Sequence, residues 1–303
     1  EHMVALANAG FNRISLGVQD CNEEVQRAVN RLQPDEITTQ VIEWSRTVGI
    51  HNINIDLIYG LPLQTVASFQ KTLDTVVQIS PNRIAVFNFA FVPWMKPHQK
   101  LIHPEDLPDA ETKLALLKIT IETLTKAGYE YIGMDHFAKP DDELTIAQKE
   151  KTLHRNFQGY STKADADLFG FGMSAISHFG TVYAQNEKIL TEYYKAIDEN
   201  NFPIHVGYRM TNDDSLRKFV IMRLMCDLEV KKAEVEDKFC IGFDAYFNES
   251  IQQLDELISY SLVENTVEKI IIRDAGRLLL RNVAMCFDAY LQKIKKEKPL
   301  FSR

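Results

Sequence analysis

The sequence predicts an α/β fold: a partial barrel of parallel β/α units, followed by a mostly helical, winged-helix-like C-terminal domain. Three features of the chain predict it. Short segments with apolar residues at every second position alternate with segments of helical spacing over the first half of the chain. That alternation breaks up between Ala138 and Tyr183. From Thr211 the composition turns helical, with one short hairpin near the end. The expected domains are residues 1–209 and 210–303.

Each element has a local reason. Met3 to Ala9 reads as the last turns of a helix, stopped by Gly10. Phe11 to Val18 is the first strand, with Ile14, Leu16 and Val18 on one face and Gln19 and Asp20 at its end. Asn22 caps a helix through Leu32, with Glu23 and Glu24 in its first turn. Pro34 to Val48 is a second helix, closed by Gly49. Residues 53–59 form the second strand, ended by Gly60 and Pro62, with a helix from Thr65 to about Ser80. Arg83 to Phe91 is a third strand, ended by Pro93. A long helix over Ala110 to Ala127 leads to a fourth strand, Tyr129 to Met134. All four strands are expected to run parallel, which right-handed crossovers would achieve with the strand ends along one rim.

Beyond this frame, Ala138 to Tyr183 reads as a long functional loop in which Gly170 and Gly172 mark close backbone approach. Tyr193 to Asn200 is a short helix and Asn201 to Arg209 a linker. Helices are expected at Asn212 to Cys226, Lys232 to Phe239, Ala245 to Tyr260 and Gly276 to about Lys295. The hairpin pairs Leu262 to Glu264 with Lys269 to Arg273. Arg277, Arg281, Lys293, Lys295 and Lys296 would give this module a basic face. In an acidic chain a solvated helix surface is the better explanation.

The bulk numbers exclude several classes. With 303 residues, 45% hydrophobic and 25% charged, the chain has the composition of a globular protein with one large domain and a smaller one. A net charge of -8 gives no support to a duplex nucleic-acid binder. No apolar run reaches membrane-spanning length. The four cysteines, Cys21, Cys226, Cys240 and Cys286, are scattered without metal-ligand spacing, so no metal site is expected and a reduced cytoplasmic setting is the default.

The stretch Asn52 to Pro62 carries most of the chemistry. Asn54 and Asp56 share one face of the strand, with Ile58 last on it. An acid near the C-terminal end of a strand in a repeating strand–helix chain is where such folds place ligands. Capping the next helix is the structural alternative.

Taken together, six stretches resemble the oxygen-independent coproporphyrinogen III oxidase family of radical S-adenosylmethionine enzymes. They are FNRISLGVQD (11–20), VQRAVNR (25–31), NIDLIYGLP (54–62), IGMDHFA (132–138), LHRNFQGY (153–160) and GRLLLRN (276–282). The ordered set covers essentially the whole chain. The resemblance implies a radical-enzyme barrel that uses S-adenosylmethionine and a [4Fe-4S] cluster. Such an enzyme forms a 5′-deoxyadenosyl radical and converts two propionates of coproporphyrinogen III to vinyl groups, yielding protoporphyrinogen IX for haem biosynthesis. The family's C-x-x-x-C-x-x-C cluster motif is absent from this sequence, so the chain reads as the later part of such an enzyme and is expected to be inactive alone.

The resemblance also implies roles for named residues. Gln19, Arg31, Asp56, Ile58, Ala90 and Ile176 fall on positions around S-adenosylmethionine. Arg13, Arg155, Arg277 and Arg281 are candidates for the substrate's carboxylates. No side chain of this chain is assigned as catalytic. An electron donor or acceptor is implied, with no nucleic acid or membrane partner, and a cytoplasmic monomer is expected. The alternative is a haem-binding chaperone of the same superfamily. Those relatives carry a His-Asn-x-x-Tyr-Trp segment; in this chain His154 to Tyr160 contains no tryptophan, which favours the oxidase.

Overall fold

The computed structural model describes residues 1–164 and 166–291. The chain divides into two compact units, the first Glu1–Ile146 and the second beginning at Ala147. The domain division expected from the sequence falls later, at residue 210.

The first unit is organised by alternation. It runs α1 (His2–Asn8), β1 (Arg13–Gln19), α2 (Glu23–Ala28), α3 (Asp35–Thr47), β2 (Asn52–Tyr59), α4 (Val66–Ile79), β3 (Arg83–Asn88), α5 (Ala110–Lys126), β4 (Glu130–Gly133) and β5 (His136–Ala138), with α6 (Glu143–Lys149) following. Ile53, Ile55 and Leu57 of β2 are buried against Ile42, Phe69, Leu73, Val76, Leu116 and Leu124 of the helices. Each such side chain contributes roughly 1.5–3 kcal/mol on burial. The opposite faces of the strands carry Ser15, Asn54 and Asp56. Thr65 begins α4 with a reciprocal capping box to Ser68.

β1, β2 and β3 pair in parallel as expected. β4 keeps the direction of β1 to β3, as expected, but an unexpected fifth strand set antiparallel between β3 and β4 corrects the expectation of an all-parallel sheet. β4 pairs antiparallel with β5, and β5 pairs antiparallel with β3, giving the order β1-β2-β3-β5-β4. The cause is local: Met134 and Asp135 alone join β4 to β5, and Met134 takes φ 51°. A two-residue connection makes a hairpin, whereas a parallel return needs a crossover of a dozen residues or more. At the start of the strands Arg83 grips Asp142 with Nε 3.0 and 2.9 Å from its two carboxylate oxygens. Glu143 receives Arg83 and Arg13, each at 2.9 Å.

The second unit corrects the expectation of a long loop and linker. It continues with β6 (His154–Asn156), β7 (Gly159–Ser161), β8 (Ile176–Phe179), β9 (Val182–Asn186), α7 (Leu190–Asp198) and β10 (Ile204–Arg209). β6 and β7 form a hairpin, while β8, β9 and β10 form an antiparallel sheet. Next come α8 (Asn212–Asp227), β11 (Glu229–Lys231), α9 (Lys232–Phe239), α10 (Phe243–Tyr246), α11 (Asn248–Gln253), α12 (Asp255–Ser259), β12 (Val263–Asn265), β13 (Lys269–Ile272) and α13 (Leu280–Met285). The expected hairpin gains β11 as a third strand, in the order β11-β13-β12. The single helix expected at 245–260 is three short ones. The expected final helix is a 3₁₀ turn, Asp274–Leu279, followed by α13. Lys293, Lys295 and Lys296 lie outside the described residues.

Glu229 ties part of this unit together. Its carboxylate accepts hydrogen bonds from Lys151 and from Lys269, the latter at 2.8 Å. Those bonds hold its pKa down from 4.5 to about 2. The folded pKa lies below the unfolded one, so the stabilisation is present above pH 4.5 and is lost as pH falls toward 2. Glu229→Gln is therefore expected to lower the melting temperature at pH 7, with the gap to wild type closing between pH 4.5 and 2. Paired thermal melts across that range check it; a gap independent of pH would show that the lysine pairs contribute nothing.

Candidate functional site

A buried acid fixes the far end of β1. Asp20 is 1% exposed and accepts from the Asn22 backbone N–H at 2.7 Å, from Thr72 Oγ1 at 2.9 Å and from Gln64 Nε2. Burial pushes its carboxyl above the usual carboxylate range, opposed by these three donors. Gln64 in turn accepts the Gly60 N–H at 2.6 Å and donates to the Ile58 carbonyl at 3.0 Å. One network thus joins the end of β1, the start of α2, the loop after β2 and α4.

The same network reaches Arg31. Gln26 Nε2 donates to the Asp20 carbonyl at 2.8 Å and to the Gln33 carbonyl at 3.0 Å, while its Oε1 accepts the Gln33 N–H. This pins the turn after α2. Arg31 lies in that turn, not in the helix, because α2 ends at Ala28 and Asn30 takes φ 51°. From there Arg31 Nη2 donates to the Gly17 carbonyl at 2.7 Å.

Gly17 is the meeting point. The register slips between Gly17 and Gln19 against β2, leaving Val18 as the extra residue of a bulge. Gln19 takes φ 69°, a left-handed conformation costly for a residue with a side chain. A Cβ on Gly17 would sit 2.5 Å from Gln19 Nε2 and 3.2 Å from Arg31 Nη2. Gly17 pairs with Asp56 across the sheet. Asp56 accepts from Asn54 Nδ2 at 2.7 Å and from Ser15 Oγ at 3.2 Å. Neither partner carries charge.

Gln19, Arg31 and Asp56 are thus gathered about one glycine. Asp56 and Arg31 flank it without pairing to each other, and among the described residues neither has an opposite charge as partner. An unpaired carboxylate beside an unpaired guanidinium suits a ligand carrying both signs, such as an amino-acid group. Ile58 is next on the same face of β2 and half-buried. Ala90 lies beyond the end of β3, exposed, its carbonyl accepting from Gln99 Nε2 at 3.0 Å. Ile176 opens β8 in the second unit, where its carbonyl closely overlies Gly170.

Of the arginines read from the sequence, Arg13 is at the opposite end of β1, held by Glu143. Arg155 lies on β6 with its guanidinium 5.6 Å from the centre of the Tyr160 ring. Arg277 is in the 3₁₀ turn and Arg281 on α13. Sequence reasoning missed Gly17, although a glycine inside a strand is itself a sign of close approach. It also missed the part played by Gln64 and Thr72. Among the described residues no three His, Cys, Asp or Glu side chains gather as a metal ion would require.

These features belong to a recognisable class. The family model described as Radical SAM superfamily matches residues 1–76, and the one described as HemN C-terminal domain matches residues 210–279. The chain is 49% identical over 285 residues to oxygen-independent coproporphyrinogen III oxidase of Thermostichus vulcanus, covering 94% of this chain and 88% of that one. It is 48% identical over 307 residues to the protein of that name in Synechocystis sp., covering 100% of this chain and 66% of the relative. The structure described as coproporphyrinogen III oxidase (HemN) from Escherichia coli, a radical SAM enzyme, superposes with a TM-score of 0.92 at 46% identity, over 95% of this chain and 67% of that one. The chain belongs to the oxygen-independent coproporphyrinogen III oxidase family. It spans 66% and 64% of the length of the Synechocystis and Salmonella typhimurium relatives.

The Asp20 network yields a test of how the site is held. Asp20→Asn places an amide opposite the Gln64 amide, and Gln64 cannot turn over without losing its bond from the Gly60 N–H. A destabilisation of about 1–3 kcal/mol is expected from this mismatch in a buried site. Urea unfolding of the two proteins measures it; an unchanged midpoint would remove Asp20 as the anchor.

Proposed function

We propose that this chain is part of an oxygen-independent coproporphyrinogen III oxidase, converting coproporphyrinogen III to protoporphyrinogen IX. The observation that carries the reading is the pair of opposite charges, Asp56 and Arg31, held about Gly17 by neutral groups only, in a chain of this family. In this reading the ligand there is S-adenosylmethionine. With a reduced [4Fe-4S] cluster it supplies the hydrogen-abstracting chemistry, and the cluster's ligands belong to a part of the whole protein that this chain does not span. The residues of this chain bind and orient. Asp56 accepts hydrogen bonds from the ligand's donors, Arg31 meets its carboxylate, and Gln19 supplies an amide beside them. Ile58 and Ala90 offer apolar surface to the adenosyl group, and Ile176 is retained as a contact on the resemblance alone.

The remaining assignments belong to the same proposal. Arg155, Arg277 and Arg281 are candidates for substrate carboxylates, with Arg13 the weakest because Glu143 already occupies it. The C-terminal domain is taken to begin at residue 210. The whole protein acts as a cytoplasmic monomer and exchanges electrons with a separate donor or acceptor. Among the described residues no helix is long and apolar enough to cross a membrane.

Gly17→Ala tests this site. The backbone of Gly17 lies outside the left-handed region, so a methyl group adds no positive-φ strain; it displaces the Gln19 amide and crowds Arg31. In the whole protein, reconstituted anaerobically with iron and sulfide, formation of 5′-deoxyadenosine and protoporphyrinogen IX is expected. The alanine variant is expected to melt normally and to bind S-adenosylmethionine about tenfold more weakly, a loss of about 1.4 kcal/mol. No tetrapyrrole product from the wild-type protein would overturn the function; normal affinity in the variant would overturn the site.

A further inference from the structure

The second unit holds a lysine whose immediate partners are all uncharged. Lys218, on α8, donates from Nζ to Tyr183 Oη at 2.8 Å and lies 3.1 Å from His178 Nε2. The ammonium is also 5.1 Å from the centre of the Tyr183 ring. His178 and Tyr183 are cross-strand partners on β8 and β9, and their rings stack at 4.3 Å with 26° between planes. Burial and the Lys218 charge push the His178 pKa down, with Asp167 opposing. The imidazole is therefore neutral near pH 7, and its Nε2 can accept from the ammonium.

The other charges on α8 are already matched. Arg217 pairs with Asp213, and Arg223 with Asp227 and Glu234. Asp214, one helical turn before Lys218, is the expected partner by spacing. It is occupied instead by Tyr208 at 2.6 Å, Tyr290 at 2.7 Å and the Thr211 hydroxyl at 2.8 Å. Asp167 accepts the Gly180 N–H at 3.1 Å. Among the described residues no carboxylate lies within ion-pair distance of Lys218. An ammonium has three donors, and its two neighbours, the phenol and the imidazole, are neutral.

We propose that Lys218 anchors a carboxylate of the tetrapyrrole substrate, with the His178–Tyr183 stack as the surface that the carboxylate-bearing ring packs against. The inference rests on the function proposed above, and it names a residue outside the candidates read from the sequence. A carboxylate is the acceptor that cancels the lysine's charge as well as filling its third donor. The stacked rings offer an apolar face directly beside that charge. A tetrapyrrole bearing propionates presents both chemistries together. The other carboxylate in the reaction, that of S-adenosylmethionine, is assigned to Arg31 in the first unit.

Coproporphyrin III, the stable oxidised form of the substrate, is the probe. Its binding to the whole reconstituted protein is followed by porphyrin fluorescence, with S-adenosylmethionine binding measured in parallel. Lys218→Gln is expected to weaken porphyrin binding about tenfold, equivalent to about 1.4 kcal/mol. Lys218→Arg is expected to restore it to within about threefold, and neither should alter S-adenosylmethionine affinity. Unchanged porphyrin affinity in Lys218→Gln overturns the proposal. So does a loss of porphyrin affinity in Lys218→Gln that runs parallel to a fall in melting temperature and is not restored by Lys218→Arg, which marks a structural lysine. A protein that binds porphyrin through Lys218 without turning over coproporphyrinogen III would instead overturn the function and leave the anchor standing.

Discussion

The buried carboxylate of Asp20 is the constraint on which the first unit's rim depends. An acid 1% exposed is costly unless donors surround it, and the chain provides three. Satisfying that acid brings Gln64 and Thr72 to the end of β1, although they lie 44 and 52 positions away in sequence. Gln64 then shapes the loop that closes β2, and Gln26 carries the constraint to the turn bearing Arg31. The polar interior therefore sets the positions of residues that are themselves exposed or half-buried.

On that frame the sheet arranges charge without cancelling it. Asp56 is oriented by Asn54 and Ser15, and Arg31 by the Gly17 carbonyl. Each is held by neutral groups, so each keeps its charge available. At the opposite end of the strands the logic reverses, and Arg13, Arg83, Asp142 and Glu143 neutralise one another. The contrast separates a rim suited to binding from an end suited to stability. Lys218 in the second unit resembles the rim: a cation positioned by a phenol and a neutral imidazole.

Much of this frame was legible in the sequence, for physical reasons that differ by element. β1 and β2 bury one face against helices, so their apolar residues alternate and the period could be read, whereas β3 was legible as a continuous apolar run, with Ile84, Ala85 and Val86 all buried. β5 could not be read, because three residues after a two-residue turn hold no period. β10 was taken for a linker although Ile204, Val206 and Tyr208 alternate with His205, Gly207 and Arg209; its signal was present in the sequence, even though all six residues are exposed. Asp56 stood out as an acid at a strand end. Its relation to Arg31 came from family resemblance, because a contact made through a turn leaves no local pattern. Gly17 left a signal that strand geometry explains. The Asp20–Gln64–Thr72 network left none, since it is tertiary throughout.

The central claim is that Asp56 is kept unpaired for a ligand and not for the fold. The most direct measurement is S-adenosylmethionine affinity in the Asp56→Asn variant of the whole protein with its cluster in place, taken together with the melting temperature. Loss of one charge-assisted hydrogen bond costs about 1.5–3 kcal/mol, so affinity should fall roughly tenfold to a hundredfold while the melting temperature holds. Unchanged affinity with a lowered melting temperature would contradict the claim and make Asp56 a structural residue.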